Sequence, residues 1–168
     1  MDEQDLVGVW HLVSTAHINV DLDLPDDDDD DSAVVDWLYG QSPELLARLE
    51  ATGGLTLQVQ ADGSFRQTCN GEPAVEWFGA NGVLEEKVVP FDGLVNSEGG
   101  EHFLLVPDLD WGAPEGEHEQ ATLRYDDGDT RICDRVALQG AQLIRTVSVV
   151  TDEAYGDRVV MAFRRATN

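Results

Sequence analysis

Ile132-Cys133-Asp134-Arg135-Val136-Ala137-Leu138-Gln139-Gly140-Ala141-Gln142-Leu143-Ile144-Arg145-Thr146-Val147-Ser148-Val149 reads as two strands joined by a tight turn, and its register decides the fold. Gly140-Ala141 puts glycine first in a two-residue connection, as in a type II′ hairpin, which sets Leu138 opposite Leu143. Counting outward, Val136 falls opposite Arg145, Asp134 opposite Val147 and Ile132 opposite Val149. One face of the pair then carries six apolar side chains with one acid and one base. Such a face turns inward, and a charge in an apolar wall requires a partner. Asp134 and Arg145 are diagonal neighbours within reach of each other, so a buried ion pair is expected.

The wall extends on both sides. In a strand at about 157–165, Val159, Met161 and Phe163 share a parity, and a connection around Glu153-Ala154-Tyr155-Gly156 places Phe163 beside Arg145. A strand at about 120–125 adds Leu123 and Tyr125. Further upstream the period of two recurs. Leu55 to Val59 and Ser64 to Thr68 flank the turn Ala61-Asp62-Gly63, Asn81-Gly82 separates Val75–Phe78 from Val83–Val89, and His102–Val106 forms another strand. The Pro-, Gly- and acid-rich stretch 107–119 is expected to be a long loop.

The first strand is expected over 6–16. The acidic segment Asp21 to Asp31 cannot pack, because its like charges repel, and reads as a solvated loop. An EF-hand starting at Asp26 lacks the glycine at loop position six and meets Trp37 where a glutamate belongs, so no metal is assigned there. Between about 32 and 52 the period becomes helical: Ser42-Pro43 starts a helix carrying Leu45, Leu46 and Leu49, and Gly53-Gly54 stops it. Val34, Val35, Trp37 and Leu38 suit a preceding helix. The expectation is one mainly β domain over 1–168. It is a single antiparallel up-and-down barrel of about 8–10 strands with a short helical insert after the first strand.

Composition narrows the partners. Thirty-four acidic against ten basic residues give a formal net charge of −24. That charge repels phosphate backbones and anionic membrane surfaces, so neither nucleic acid nor membrane insertion is expected. Lys87 is the only lysine. The segment Met1-Asp2-Glu3-Gln4-Asp5 has no secretory character, which makes a cytoplasmic setting the expectation, with Cys69 and Cys133 as reduced thiols rather than a disulfide.

Gly8-Val9-Trp10 at the opening, with Arg164 or Arg165 on the closing strand, resembles the calycin superfamily of lipocalins and fatty-acid-binding proteins. That resemblance implies a barrel whose opening Trp10 packs at one end beneath a basic side chain such as Arg165, with Gly8 and Trp10 as the structural signature. About ten strands and a helical pair after the first look more like fatty-acid-binding proteins than eight-stranded lipocalins. The resemblance also implies that the segment Asp36 to Glu50 caps the open end, with Trp37, Leu38 and Leu45 at the portal. One departure stands out: fatty-acid-binding proteins carry an Arg-x-Tyr pair near the C-terminus to hold a carboxylate, and here the stretch reads Met161-Ala162-Phe163.

A small closed barrel either fills itself or holds one small molecule. The reading is therefore a binding protein for a small apolar or amphipathic molecule, without catalysis and without a cofactor. Its candidate ligand contacts are Arg145, Asp134, Tyr125, Met161, Phe163 and Trp37. Because Asp134 already neutralises Arg145, a neutral and partly polar ligand suits the pair better than an anion. Two alternatives remain open. One is a small enzyme in the same cavity, with Asp134 as the group whose pKa burial would perturb. The other is a filled barrel serving as a protein-interaction module. A haem would need His102 or His118 as its axial ligand near the open end.

Overall fold

In the computed structural model the described residues are 3–22, 36–38, 40, 55–69, 72–73, 75–76, 87–88, 91–105, 111–112, 122–125, 130–151 and 155–167. Eight of its strands close a ring: β1 (Gly8–Asp21), β2 (Leu55–Val59), β3 (Ser64–Cys69), β4 (Phe91–Glu98), β5 (Glu101–Leu105), β6 (Thr130–Gln139), β7 (Gln142–Thr151) and β8 (Tyr155–Arg165). Each pairs antiparallel with the next, and β8 pairs back onto β1. Closure leaves no edge in the ring, and consecutive antiparallel pairing is the up-and-down order. A short strand, Thr122–Tyr125, continues the edge of β6 where β5 ends and pairs in turn with Trp111–Gly112. Val75–Glu76 and Lys87–Val88 form a separate two-stranded ladder.

The expected register of the β6–β7 hairpin is the observed one, from Leu138 opposite Leu143 to Ile132 opposite Val149. Gly140 at the turn has φ +62°, the left-handed conformation such a turn demands. The flanking register differs by one step. Met161, not Phe163, lies directly across from Arg145, and Phe163 faces Leu143, because the β7–β8 ladder closes with Thr151 opposite Tyr155. The first strand runs to Asp21, five residues past its expected end, since β8 is long enough to pair with all of it. Strand β4 escaped the pattern altogether: Asp92, Gly93 and Asn96 are turn-type residues inside a paired strand.

A bulge between Leu12 and Ser14 shifts the parity of β1. Before it, Trp10 and Leu12 join the interior. Beyond it, Thr15 and His17 stand opposite the inward-facing Met161 and Val159, while Ala16 and Ile18 pack outside against Ile144 and Val160. The interior is lined by Leu57, Val59, Phe65, Val136, Leu143, Met161 and Phe163, among others.

The end of the barrel at Gly8 is closed by the chain itself. The 3-10 turn Glu3–Leu6 crosses it, and the Trp10 indole Nε1 donates to the Leu6 carbonyl at 2.8 Å. The Arg165 guanidinium stacks over the Trp10 ring, 4.5 Å from its centroid, and donates to the Asp5 carbonyl at 2.5 Å. Gly8 (φ +151°) lets the backbone pass beneath that guanidinium, where a Cβ would stand 3.5 Å from Nη1. The arrangement implied by Gly8, Trp10 and Arg165 is thus present, with Arg165 rather than Arg164 as the covering cation.

The helical turn Asp36–Leu38, closed by the Gly40 N–H on the Asp36 carbonyl at 2.8 Å, does not cap the opposite end. Trp37 and Leu38 lie against Phe103, Cys133 and Val150, the outward-facing residues of β5, β6 and β7. The remainder of the expected helical insert, including Leu45, lies outside the described residues, as does the acidic run from Asp26 to Asp31.

Candidate functional site

Arg145 is the most deeply buried ionic group among the described residues, with none of its surface reachable by water. A guanidinium cannot be left bare in an apolar interior, and the sequence supplies acceptors from two neighbouring walls. From β6, Asp134 accepts from Nε at 2.8 Å through one carboxylate oxygen and from Nη2 through the other. From β3, the buried Gln67 side-chain carbonyl accepts from Nη1. The fork-on-carboxylate arrangement is the strongest geometry available to an arginine.

Exposure grades along the inward faces of two adjacent strands. On β7 it rises from 0% at Leu143 and Arg145 through 3% at Val147 to 8% at Val149. On β8 it rises from 0% at Phe163 through 6% at Met161 to a half-buried Val159 and a side chain one-third exposed at Asp157. Side chains without water-reachable surface face no water-sized void, so the half of the barrel near Trp10 is filled. Away from it the inward-facing side chains become progressively more exposed, and the Arg145–Asp134 pair lies at the boundary between the two halves. Asp134 retains 11% exposure of its side chain while Arg145 has none, so the carboxylate is the part of the pair turned toward the more exposed half.

At the rim, His17 Nε2 meets the Asp157 carboxylate, and both side chains come from inward positions of their strands. Of the expected contacts, Arg145, Asp134, Met161 and Phe163 therefore share the interior, with Phe163 below the ion pair and Met161 beside it. Trp37 is on the outer wall and touches none of them. Tyr125 is placed in a short strand opposite Trp111, and its side chain lies outside the described residues. Gln67 was not anticipated, although its signal was available: Leu57 faces Gln67 across the β2–β3 hairpin, so it is a polar residue at an inward position, the same mark that singled out Arg145. His17 was hidden by the β1 bulge and the short expected strand.

His102 does not stand near the open end. It is buried at the closed one, where Nδ1 lies 2.7 Å from Ser97 Oγ and that hydroxyl lies 3.1 Å from the Glu3 carboxylate. Its expected alternative role as an axial ligand at the mouth is thereby removed; His118 lies outside the described residues. Among the described residues no group of three or more His, Cys, Asp or Glu side chains is placed to hold a metal ion, and no helix is long and apolar enough to cross a membrane.

No protein-family model matches the chain, and no curated protein matches it. Among solved structures, a crystal structure of zebrafish ileal bile acid-binding protein complexed with cholic acid matches with a TM-score of 0.37 and 15% sequence identity, over 95% of this chain and 98% of that one.

Proposed function

We propose that the barrel binds a small, largely apolar or amphipathic molecule in its open half, without chemistry. The observation that carries this reading is the graded interior: a packed lower half, a neutralised ion pair as floor, and above it inward-facing Met161, Val149 and Val159 with increasing exposure. Apolar walls with a few fixed polar groups are what small-molecule sites require. Asp134 offers the ligand a hydrogen-bond acceptor. Arg145 acts through it, as the cation that holds the carboxylate in place, and does not itself reach the ligand. The single polar group of the ligand is accordingly a donor, such as a hydroxyl or an amine. A cytoplasmic setting fits the buried free thiol of Cys133.

Native mass spectrometry of the purified full chain, followed by titration with the neutral fluorophore Nile red, tests the reading. The expected result is either a co-purified mass that is lost on denaturation or saturable one-to-one dye uptake. Both are blocked by Val149→Trp, which fills the open half. A bare mass together with no saturable uptake would remove the proposal.

A further inference from the structure

A second buried cation lies on the outside of the barrel, and nothing in the reading of the interior uses it. Arg158 alternates with the inward residues of β8 and so points outward, yet it is only 4% exposed. Its Nε donates to the buried Ser148 hydroxyl across the β7–β8 ladder at 2.9 Å. Its guanidinium carbon lies 4.4 Å from the centroid of the Trp37 ring. Two donors at this stack are buried without a hydrogen-bond partner: Arg158 Nη2 and Trp37 Nε1. Among the described residues no carboxylate stands within ion-pair distance of Arg158.

The contrast with Arg145 is informative. Both arginines sit in the same two-strand ladder, but Arg145 has a bidentate carboxylate and Arg158 has only a neutral hydroxyl and a ring face. Burial holds the Arg158 pKa below its ordinary value. An ionised group in such surroundings is costly unless a counter-charge is supplied. The neighbouring thiol of Cys133 does not supply one, since burial pushes its pKa up to about 12 and leaves it neutral.

We infer that the Arg158–Trp37 stack is a binding site for one carboxylate group, accepting from Arg158 Nη2 and Trp37 Nε1. A carboxylate brings the single negative charge that one unpaired guanidinium requires, and its two oxygens match two separate donors. A phosphate dianion would leave a surplus negative charge in a chain that already carries −24. Trp37 and Gly40 are both half-buried, and a Cβ at Gly40 would stand 3.8 Å from Arg158 Nη1. This site is separate from the barrel interior and does not depend on what the interior holds.

Titration of the full chain with sodium formate, at ionic strength held constant with sodium chloride, tests the inference. The readout is the indole ¹H–¹⁵N signal of Trp37, assigned by its loss in Trp37→Phe, together with the midpoint of thermal unfolding. In the wild type the signal shifts saturably in the range of about 1–100 mM formate and the midpoint rises with it. Trp37→Phe, which keeps the stack and loses one donor, weakens the midpoint response about tenfold. Arg158→Met folds and shows no formate dependence. Formate effects equal to those of chloride in the wild type would overturn the site, and so would an unchanged response in Arg158→Met. Where Arg158→Met does not fold, because it also loses the Ser148 bond and the Trp37 stack, Trp37→Phe decides: a formate response equal to the wild type in that variant would overturn the site.

Discussion

Asp134 grips Arg145 with both carboxylate oxygens from the diagonal position across the β6–β7 hairpin, and the arginine it holds has no exposed surface. Removing one partner of such a pair leaves an uncompensated charge inside the barrel. Asp134→Ala is therefore expected to lower the free energy of unfolding by about 3–5 kcal/mol, read from urea denaturation. Replacing the charge together with its two acceptors, Arg145→Met with Asp134→Leu and Gln67→Leu, restores stability to near the wild-type value, because the buried charge is removed along with the groups that neutralise it. A triple variant as unstable as Asp134→Ala would show that the pair contributes packing which apolar residues cannot reproduce.

The ion pair was legible in the sequence because a two-residue turn leaves no freedom of register: once Gly140-Ala141 is placed, every facing pair in β6 and β7 follows. Where a connection is longer, the count slips. The β7–β8 connection put Phe163 beside Arg145 in expectation, and Met161 in fact. The β1 bulge concealed His17 in the same way, since one extra residue reverses every side chain beyond it. Trp37 failed for a different reason. Helical periodicity marks an apolar face but says nothing about which surface receives it, and here the receiving surface is the outer wall. Arg158 was legible only as an outward charge; its burial depends on that same docking.

The polar floor predicts a preference among ligands. The opening presents the Asp134 carboxylate, the Asp157 carboxylate stands at the rim, and the chain as a whole is strongly acidic. Competition against Nile red is expected to rank 1-decanol at least about tenfold tighter than decanoate at neutral pH, a difference of about 1.4 kcal/mol. Asp134→Asn, which keeps the shape and removes the charge, is expected to narrow that gap. Tighter binding of decanoate than of the alcohol would instead place Arg145 in direct contact with the ligand.

Arg165 covers Trp10 at the closed end, where its stack and its bond to the Asp5 carbonyl tie the last strand to the opening turn. Arg165→Ala removes a partly exposed cation–π contact and is expected to cost about 0.5–1 kcal/mol, with a red shift in tryptophan emission as water reaches the ring. Trp10→Ala empties the base of the core and is expected to cost about 3–5 kcal/mol. Equal costs for the two variants, measured by denaturant unfolding, would show that the guanidinium contributes as much as the indole to holding this end closed.

Gly156 of β8 lies under the Trp37 indole so closely that a Cβ would stand 2.5 Å from Cε2 and 2.7 Å from Nε1. The ring is part of a packed outer layer with Leu38, Cys133 and Val150, so it cannot yield freely. Gly156→Ala is expected to destabilise the fold by about 1–3 kcal/mol through overpacking and to displace the Trp37 indole signal, while leaving dye uptake by the interior unchanged. Loss of dye uptake would mean that the docked turn, although outside the barrel, controls the shape of its mouth.

Cys133 supplies a pH dependence of definite sign. Burial, assisted by the neighbouring Asp134 carboxylate, raises its folded pKa to about 12 from its ordinary value of 9.0. The folded protein thus retains a proton that the unfolded chain gives up, so stability falls as pH rises between those two values and is unaffected by this group below about pH 9. The full span corresponds to an order of 4 kcal/mol, at 1.36 kcal/mol for each unit. In a Cys69→Ser background, where Cys133 is the only thiol, the folded protein is expected to resist iodoacetamide at pH 8 and to react once unfolded in urea. Replacing Cys133 by Ala should flatten the alkaline limb of the stability curve. An alkaline limb of equal slope in that variant would assign the loss to other groups, and rapid alkylation of the folded protein would show that the outer layer under Trp37 opens far more readily than its packing implies.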